Sequence, residues 1–192
     1  MALSARFEEA LTYAARLHAA QKKKGSDIPY VAHLLGVAAI TLHYGANEDE
    51  AIAALLHDAV EDQGGAATRE EVRRRFGESV AAIVDGCTDT DLTPKPPWRK
   101  RKEDYLIHIR TAPAPVRLVS ASDKLDNARA ILADYRVIGE ALWQRFSGGR
   151  EGTLWYYRSL VRAFREAGPG ELIEELDRVV SEIERLAAQG AT

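Results

Sequence analysis

Residues 51–62, AIAALLHDAVED, constrain the fold of this chain more than any other stretch. The stretch begins as an unbroken apolar run, which indicates a helix buried in a core, and then places His57, Asp58, Glu61 and Asp62 within two turns. Burying such groups is unfavourable unless they pair with one another or bind a metal ion. Side chains four residues apart share a helix face, so an unbroken helix stacks His57 with Glu61 and Asp58 with Asp62. The stretch predicts a deep patch of one nitrogen ligand and three carboxylates.

Length and composition favour one all-α domain. The 192 residues suit a single domain with an ample core, and 46% apolar and 29% charged residues are typical of a folded chain. Apolar residues recur at helical spacing, and no strand-like alternation stands out. We therefore predict a single-domain bundle of about eight helices over residues 1–192, with a core at about 5–167 and a C-terminal amphipathic helix at about 171–188.

Charge and cysteine content exclude several classes of protein. A formal net charge of -3 argues against a general nucleic-acid binder, which needs a basic surface. The single cysteine, Cys87, excludes an internal disulfide and a cysteine-based zinc cluster, so a reducing cytoplasm is the simplest location. No apolar run approaches the roughly 20 residues that span a bilayer. We expect neither nucleic acid nor a membrane as a partner.

A divalent metal ion would offset the charge in residues 57–62, but a His-Asp pair alone does not complete a site. An imidazole beside carboxylates suits octahedral Mn²⁺, Fe²⁺ or Mg²⁺ better than a closed tetrahedral zinc site. An isolated pair of this kind is more often a core histidine bonded to its neighbour. His33, in the first turn of a helix that starts near Val31, and Asp123, after an apolar run from Val116, are the further candidate ligands.

Two clusters of positive charge could neutralise phosphate. Lys22, Lys23 and Lys24 lie in a loop of turn residues, and four cations occupy residues 99–102 at the start of a helix that begins at Trp98. Cations there oppose the helix dipole, at a cost of a few tenths of a kcal/mol each, unless an anion offsets them. Charge runs are more often solvated surface, and that alternative stays open for both clusters.

Local signals add further expectations. Residues 68–71, TREE, are typical of a capping box that opens a short helix closed by Gly77. Prolines keep residues 88–97 out of regular structure. Leu34 and Leu35 are assigned to the apolar side of the helix after Val31. The remaining histidines have no identifiable partner and are assigned to structure or surface; these are His18, His43 and His108.

The order and spacing of His33, His57, Asp58 and Asp123 resemble those of the HD superfamily of metal-dependent phosphohydrolases, named for the adjacent His-Asp pair. More specific segments are AARLH at 14–18, the lysines before PYVAH at 29–33, LLHDAVED at 55–62, FG at 76–77, VDGCT at 84–88 and SDKLDN at 122–127. Together they resemble the hydrolase domain of RelA/SpoT-type alarmone enzymes, and most of all its small stand-alone members. The likeness runs from about Phe7 to Phe164.

The resemblance implies a helical HD-domain fold, a reaction and a set of roles. In that family the metal, commonly Mn²⁺, is held by residues matching His33, His57, Asp58 and Asp123, and residues matching Glu61 and Asp62 handle the attacking water. Family members split the 3′-pyrophosphate from ppGpp or pppGpp, releasing pyrophosphate and GDP or GTP. The predicted substrate contacts are Lys22, Lys23, Lys24, Tyr30, Arg99, Lys124 and Asn127.

Two departures from the family pattern bear on the substrate rather than on the reaction. Leu34 stands where the family usually has proline, and Asp126 where an aromatic residue or histidine is common. One alternative is an HD phosphohydrolase for a dNTP, a nucleoside monophosphate or NADPH, and another is a catalytically silent nucleotide-binding module. The chain has no room for the synthetase domain of long family members, so hydrolase activity alone is expected. A homodimer is left open.

Overall fold

The computed structural model describes residues 2–90 and 94–190, and their regular structure is helical. The helices are α1 (Ala5–Leu17), α2 (Val31–His43), α3 (Glu48–Leu56), α4 (Ala59–Asp62), α5 (Gly65–Phe76), α6 (Glu78–Cys87), α7 (Trp98–Thr111), α8 (Ala114–Ile138), α9 (Gly149–Ala167) and α10 (Glu171–Gly190), with a 3-10 segment at Gly139–Arg145. Within those ranges the β-pairing is one isolated antiparallel bridge between Lys22 and Pro29. The all-α class is confirmed.

The chain packs as two compact units. The first comprises Met1–Lys95 and Pro113–Asp123, and the second comprises Pro96–Ala112 and Lys124–Thr192. Helices α1 to α6 and the beginning of α8 thus belong to the first unit, while α7, the rest of α8, the 3-10 segment, α9 and α10 belong to the second. The single domain over residues 1–192 stays a prediction.

Helix α3 is the central helix of the first unit. Its apolar run, residues 51–56, is fully buried and packs against α1, α2 and α6. A capping box fixes its start, because the Asn47 side chain accepts from the Glu50 N–H while the Glu50 carboxylate accepts from the Asn47 N–H. Each large apolar side chain buried here stabilises the unit by roughly 1.5–3 kcal/mol. The end of α3 is therefore held in a fixed place in the core.

The predicted continuous helix over residues 51–62 is wrong, because the structure divides it. Helix α3 ends at Leu56 and α4 begins at Ala59, with Asp58 at φ -99° and ψ 0° as the residue before α4. The His57 Nδ1 lies 2.8 Å from the Ala54 carbonyl oxygen, which is the acceptor that residue 58 would use in a continuing helix. One helical hydrogen bond of this stretch is still formed after the break: the Asp62 N–H donates to the Asp58 carbonyl oxygen at 3.0 Å.

Two smaller predictions are also wrong. Thr68 does not cap a helix: α5 begins at Gly65 after Gly64, whose φ of 122° turns the chain early, and the Thr68 hydroxyl donates to the Gln63 carbonyl oxygen. A Cβ on Gly64 would lie 2.7 Å from that hydroxyl, so glycine is needed there. Leu35 is 46% exposed, whereas Leu34 is fully buried. Gly77 closes α5 as expected.

The second unit is built on α9, which packs against α7 and α10. The Trp98 ring lies so close to α9 that a Cβ on Gly148 would approach it to 2.6 Å. The predicted C-terminal amphipathic helix is observed as α10, which buries one apolar face. That face consists of Leu172, Ile173, Leu176, Val179, Val180, Ile183 and Ala187.

The irregular segment predicted at residues 88–97 falls partly outside the described residues, which omit 91–93. Its described portions contain no helix beyond Thr88 and none before Trp98. Among the described residues, no helix is both long enough and apolar enough to cross a bilayer.

Candidate metal centre and its neighbours

Three segments of the first unit bring the four predicted metal ligands together. His33 lies in the first turn of α2, His57 and Asp58 lie between α3 and α4, and Asp123 lies on α8. Asp58 Oδ2 is 3.0 Å from the Nε2 atom of His57 and 3.8 Å from that of His33. Asp123 Oδ1 is 3.2 Å from Nε2 of His33 and 3.7 Å from Nε2 of His57. Two nitrogens and two oxygens therefore surround one point.

The backbone fixes the orientation of His57. Its Nδ1 donates to the Ala54 carbonyl oxygen, which leaves a lone pair on Nε2. That Nε2 atom is buried and has no hydrogen-bond partner, although Asp58 Oδ2 is only 3.0 Å away. A buried nitrogen without a hydrogen bond is unfavourable unless another group uses its lone pair. Nε2 of His57 thus has the orientation that a metal ligand requires.

The cluster needs a positive charge at its centre. Burial alone would lower the pKa of His57, but the carboxylates of Asp58 and Asp123 outweigh burial and hold that pKa well above its usual value. Burial likewise opposes ionisation of Asp58, yet the neighbouring imidazoles lower its pKa. Either a proton on the imidazole or a divalent cation can balance these carboxylates.

A divalent ion fits the donor set. Ligand atoms of His33, His57 and Asp58 all lie within 4.8 Å of one another. An ion about 2.1 Å from each donor places neighbouring donors about 3 Å apart, close to the distances around Asp58 and Asp123. Mixed imidazole and carboxylate ligands suit several first-row divalent ions.

Tyr30 supports the candidate ligand Asp58. Its hydroxyl donates to Asp58 Oδ2 at 2.5 Å, and its ring lies edge-on to that of His33, with centroids 5.4 Å apart. Burial, with the nearby Asp58 carboxylate, raises the pKa of Tyr30 far above its usual value, so the phenol remains a donor. A contact between Tyr30 and substrate stays a prediction.

Glu61 and Asp62 have different partners. Glu61 Oε1 is 2.8 Å from Lys95 Nζ, and its other oxygen accepts from the Asp89 N–H at 3.3 Å. Asp62 Oδ2 instead accepts from Gln21 Nε2 at 2.8 Å. Because the Asp62 side chain is exposed, the predicted deep patch of three carboxylates is wrong for that residue. Helix α4 buries Ala59 and Val60 instead.

Sequence reasoning missed His18 and Gln21 as neighbours of the centre. His18 is buried, its Nδ1 lies 2.6 Å from Gln21 Oε1, and its ring stacks on Tyr30 with centroids 5.4 Å apart. The assignment of His18 as a residue without a partner is therefore corrected. The sequence signal for this contact was the spacing of a histidine and a glutamine three residues apart, directly after α1. His43 and His108 are exposed.

Two of the predicted cations, Lys22 and Arg99, pair with carboxylates a few residues along the chain. Lys22 Nζ is 2.6 Å from Asp27 Oδ1, the Lys23 N–H donates to the Ile28 carbonyl oxygen, and Lys24 is exposed. In the second unit, Arg99 pairs with Glu103 at 2.7 Å, and its guanidinium lies 3.2 Å from the centroid of the Trp155 ring.

Helix α7 thus supplies carboxylates for its own basic start, since Lys100 also pairs with Asp104 at 2.9 Å. Lys124 Nζ lies 5.1 Å from the Tyr105 ring centroid, and Asn127 is half-buried on α8. The substrate roles of Arg99, Lys124, Asn127 and the three loop lysines stay predictions.

Comparison with known families agrees with this geometry. Residues 10–154, three-quarters of the chain, match the HD domain. The chain belongs to the HD domain family. The match includes both histidines and both aspartates of the cluster, together with Glu61 and Asp62, whereas α10 lies beyond it.

Relatives of this HD-domain protein include two proteins named guanosine-3′,5′-bis(diphosphate) 3′-pyrophosphohydrolase MESH1. The Xenopus tropicalis protein is 40% identical over 124 residues, which cover 63% of this chain and 66% of that protein. The Homo sapiens protein is 36% identical over 129 residues, which cover 66% of this chain and 69% of that protein. The matched segment thus spans about two thirds of each relative's length.

Among solved structures, a metazoan ortholog of SpoT, described as hydrolysing ppGpp and acting in starvation responses, superimposes with a TM-score of 0.76 at 27% identity. The superposition covers 93% of this chain and 96% of that chain. A protein from Listeria monocytogenes EGD-e superimposes with a TM-score of 0.71 at 29% identity. That superposition covers 80% of this chain and 99% of the Listeria chain.

Proposed function

We propose that this HD-domain protein hydrolyses the 3′-pyrophosphate of ppGpp and pppGpp, releasing pyrophosphate and GDP or GTP. The observation that carries the proposal is the meeting of two imidazoles and two carboxylates, followed by Glu61 and Asp62 one turn along the chain. Relatives named for this reaction, at 36–40% identity, support the choice of substrate.

We propose that His33, His57, Asp58 and Asp123 hold one divalent ion, with Mn²⁺ as the expected metal and Fe²⁺ or Mg²⁺ as alternatives. Such an ion supplies Lewis acidity, which acidifies water and offsets charge on phosphoryl oxygens. The bond between His57 Nδ1 and Ala54 fixes the tautomer, so that the neutral imidazole would offer Nε2 to the ion. The Tyr30 hydroxyl holds the Asp58 carboxylate in one rotamer.

The chain's own acid-base group is Asp62. Water attacks the phosphorus bonded to the 3′ oxygen, that phosphorus–oxygen bond breaks, and Asp62 takes a proton from the water. Asp62 then passes that proton to the departing 3′ oxygen, which becomes the hydroxyl of GDP or GTP. Glu61, held by Lys95, orients the water. A substrate with several negative charges further favours phosphate contacts from Lys22, Lys23 and Lys24.

The deciding experiment is metal analysis of the purified protein, followed by product identification with ppGpp and Mn²⁺. We expect about one divalent ion per chain, with GDP and pyrophosphate as products. A panel containing a dNTP, a nucleoside monophosphate and NADPH tests the substrate, and faster turnover of any of these would overturn the assignment to ppGpp. Nucleotide binding without turnover at saturating metal would instead identify a silent module. The homodimer and the cytoplasmic location stay predictions.

A further inference from the structure

The side-chain amide of Gln21 is the centre of a hydrogen-bond network next to Asp62. Gln21 Nε2 donates to Asp62 Oδ2 at 2.8 Å. Gln21 Oε1 lies 2.6 Å from Nδ1 of His18 and accepts from Nε2 of Gln63 at 2.5 Å. One neutral amide therefore connects an exposed carboxylate to a buried imidazole.

The chemistry of the partners fixes the direction of each bond. An ionised Asp62 can only accept, so it must face the NH₂ group of Gln21. Gln21 Oε1 then faces His18, and Nδ1 of His18 must carry the ring proton to donate to it. Nε2 of His18 is left without a proton, which agrees with its burial and its lack of a hydrogen-bond partner.

The backbone holds Gln21 in place. The Gln21 N–H donates to the His18 carbonyl oxygen at 3.0 Å, and the Tyr30 N–H donates to the Gln21 carbonyl oxygen at 2.9 Å. The His18 ring also stacks on Tyr30, whose hydroxyl binds the ligand Asp58. Gln21 is thus anchored to the same tyrosine that supports the metal centre.

We propose that Gln21 is a positioning residue for Asp62, and that His18 and Gln63 orient Gln21. This inference rests on the proposed role of Asp62 in proton transfer. The Asp62 side chain is exposed, so a directed bond from Gln21 keeps it in one rotamer when water must be deprotonated. Geometry of this kind acts on the chemical step rather than on substrate affinity.

Gln21→Met removes the amide while keeping the length of the side chain. We expect kcat to fall about 10- to 100-fold, the usual effect of losing one hydrogen bond to a charged group, with KM and metal content unchanged. Gln21→Glu keeps an acceptor for His18 and Gln63 but faces Asp62 with an oxygen, so it should not restore kcat. Gln144→Met makes the matched change at an exposed glutamine of the second unit and should leave kcat unaltered.

A double-mutant cycle separates positioning from general loss of structure. In the Asp62→Asn background, Gln21→Met should lower kcat less than about 3-fold, because the amide acts through Asp62. Parent-level kcat in Gln21→Met, or an equal fold-loss in both backgrounds, would overturn the proposal.

The ¹⁵N spectrum of the His18 ring provides a readout that does not depend on activity. We expect a protonated Nδ1 and an unprotonated Nε2 in the metal-loaded parent, and loss of that preference in Gln21→Met. A proton on Nε2 in the parent would contradict the network. If the parent releases no pyrophosphate from ppGpp, the proposed function fails, and the spectrum alone decides the hydrogen-bond arrangement.

Discussion

Two clusters of polar and charged side chains, one in each unit, differ in how their hydrogen-bonding groups are satisfied. In the first unit, His57 and Asp123 are buried around one point, and Nε2 of His57 has no hydrogen bond. In the second, Arg158 on α9 bonds to Asp177, Ser181 and Glu184 on α10, including a 3.0 Å contact from Nε to Glu184. One cluster leaves a buried group unsatisfied, whereas the other has a partner for every nitrogen of the guanidinium.

The difference indicates what each cluster contributes. A buried group without a partner lowers stability, so its presence points to a ligand that completes it. An arginine that bonds three side chains of a neighbouring helix mainly fixes two helices together. We therefore expect the first cluster to serve chemistry and the second to serve stability, and mutations can test that division.

The largest effect should follow from removing a metal ligand. Asp58→Ala or His57→Ala should abolish both metal binding and hydrolysis, because each removes a donor that water replaces poorly. Metal content by elemental analysis and pyrophosphate release measure the two losses. The helical circular dichroism signal should be retained in both variants. Full metal occupancy in either variant would contradict the ligand assignment.

Asp62→Asn should separate catalysis from metal binding. Asparagine keeps the shape and an acceptor oxygen but cannot take a proton, so kcat should fall by about 10² to 10⁴ while metal content stays at the parent level. Steady-state kinetics and elemental analysis on the same sample check both. Loss of the ion would make Asp62 a ligand, and near-normal turnover would leave activation of water to Glu61 or the metal.

Arg158→Met should affect stability without affecting catalysis. It removes the arginine from Glu184 and leaves Asp177 bonded to Arg165, which we expect to lower the free energy of unfolding by about 2 kcal/mol. Arg185→Met is the matched control. Arg185 is more exposed and, among the acidic side chains that the structure describes, pairs only with Glu182 of the same helix, so the loss should be under about 0.5 kcal/mol. Urea unfolding measures both. Equal losses would remove the contrast between satisfied and solvated pairs.

Lys23→Ala tests a cation that lies outside both the candidate metal centre and the Arg158 cluster. A lysine on a ground-state phosphate mainly contributes uniform binding, so KM for ppGpp should rise several-fold with little change in kcat. Lys24→Ala, next along the loop, shows whether the effect is specific to one position. An unchanged KM in Lys23→Ala would assign that lysine to solvated surface.

Acidification should reduce the stability that the Arg158 cluster contributes to the fold. Burial would raise the pKa of Asp177, but its bonds to Arg158 and Arg165 outweigh burial and lower that pKa. A lowered pKa in the folded state stabilises the fold above about pH 4, and that contribution disappears as the pH falls through the folded-state pKa. The stability difference between the parent and Asp177→Asn should therefore shrink on acidification, as measured by thermal unfolding between pH 5 and pH 2.

Much of the site could be predicted from the sequence because its signals are local. The pair His57-Asp58 directly follows an apolar run, Asp123 follows the apolar run from Val116, and His33 lies in the first turn of an apolar helix. The break after Leu56 could not be predicted in this way, since it depends on a bond between an imidazole and a backbone carbonyl. Helical periodicity carries no information about such bonds.

The network around Gln21 could not be predicted for a different reason. Its partner Asp62 is 41 residues away, and only the packing of the first unit brings the two side chains together. The basic start of α7 could be predicted as unfavourable for the helix dipole, but acids one turn later, such as Glu103, already offset it. Composition counts charges without showing which of them meet.

The bridge between Lys22 and Pro29 also bears on how this protein can diverge. Backbone bonds from Lys23 to Ile28 and from Tyr30 to Gln21 close the loop at its base. Residues 24–27 lie beyond that closure, so mutations there can accumulate without displacing Gln21 or Tyr30. Substitutions at the loop tip can therefore be tested for an effect on nucleotide preference while the candidate metal centre keeps its geometry.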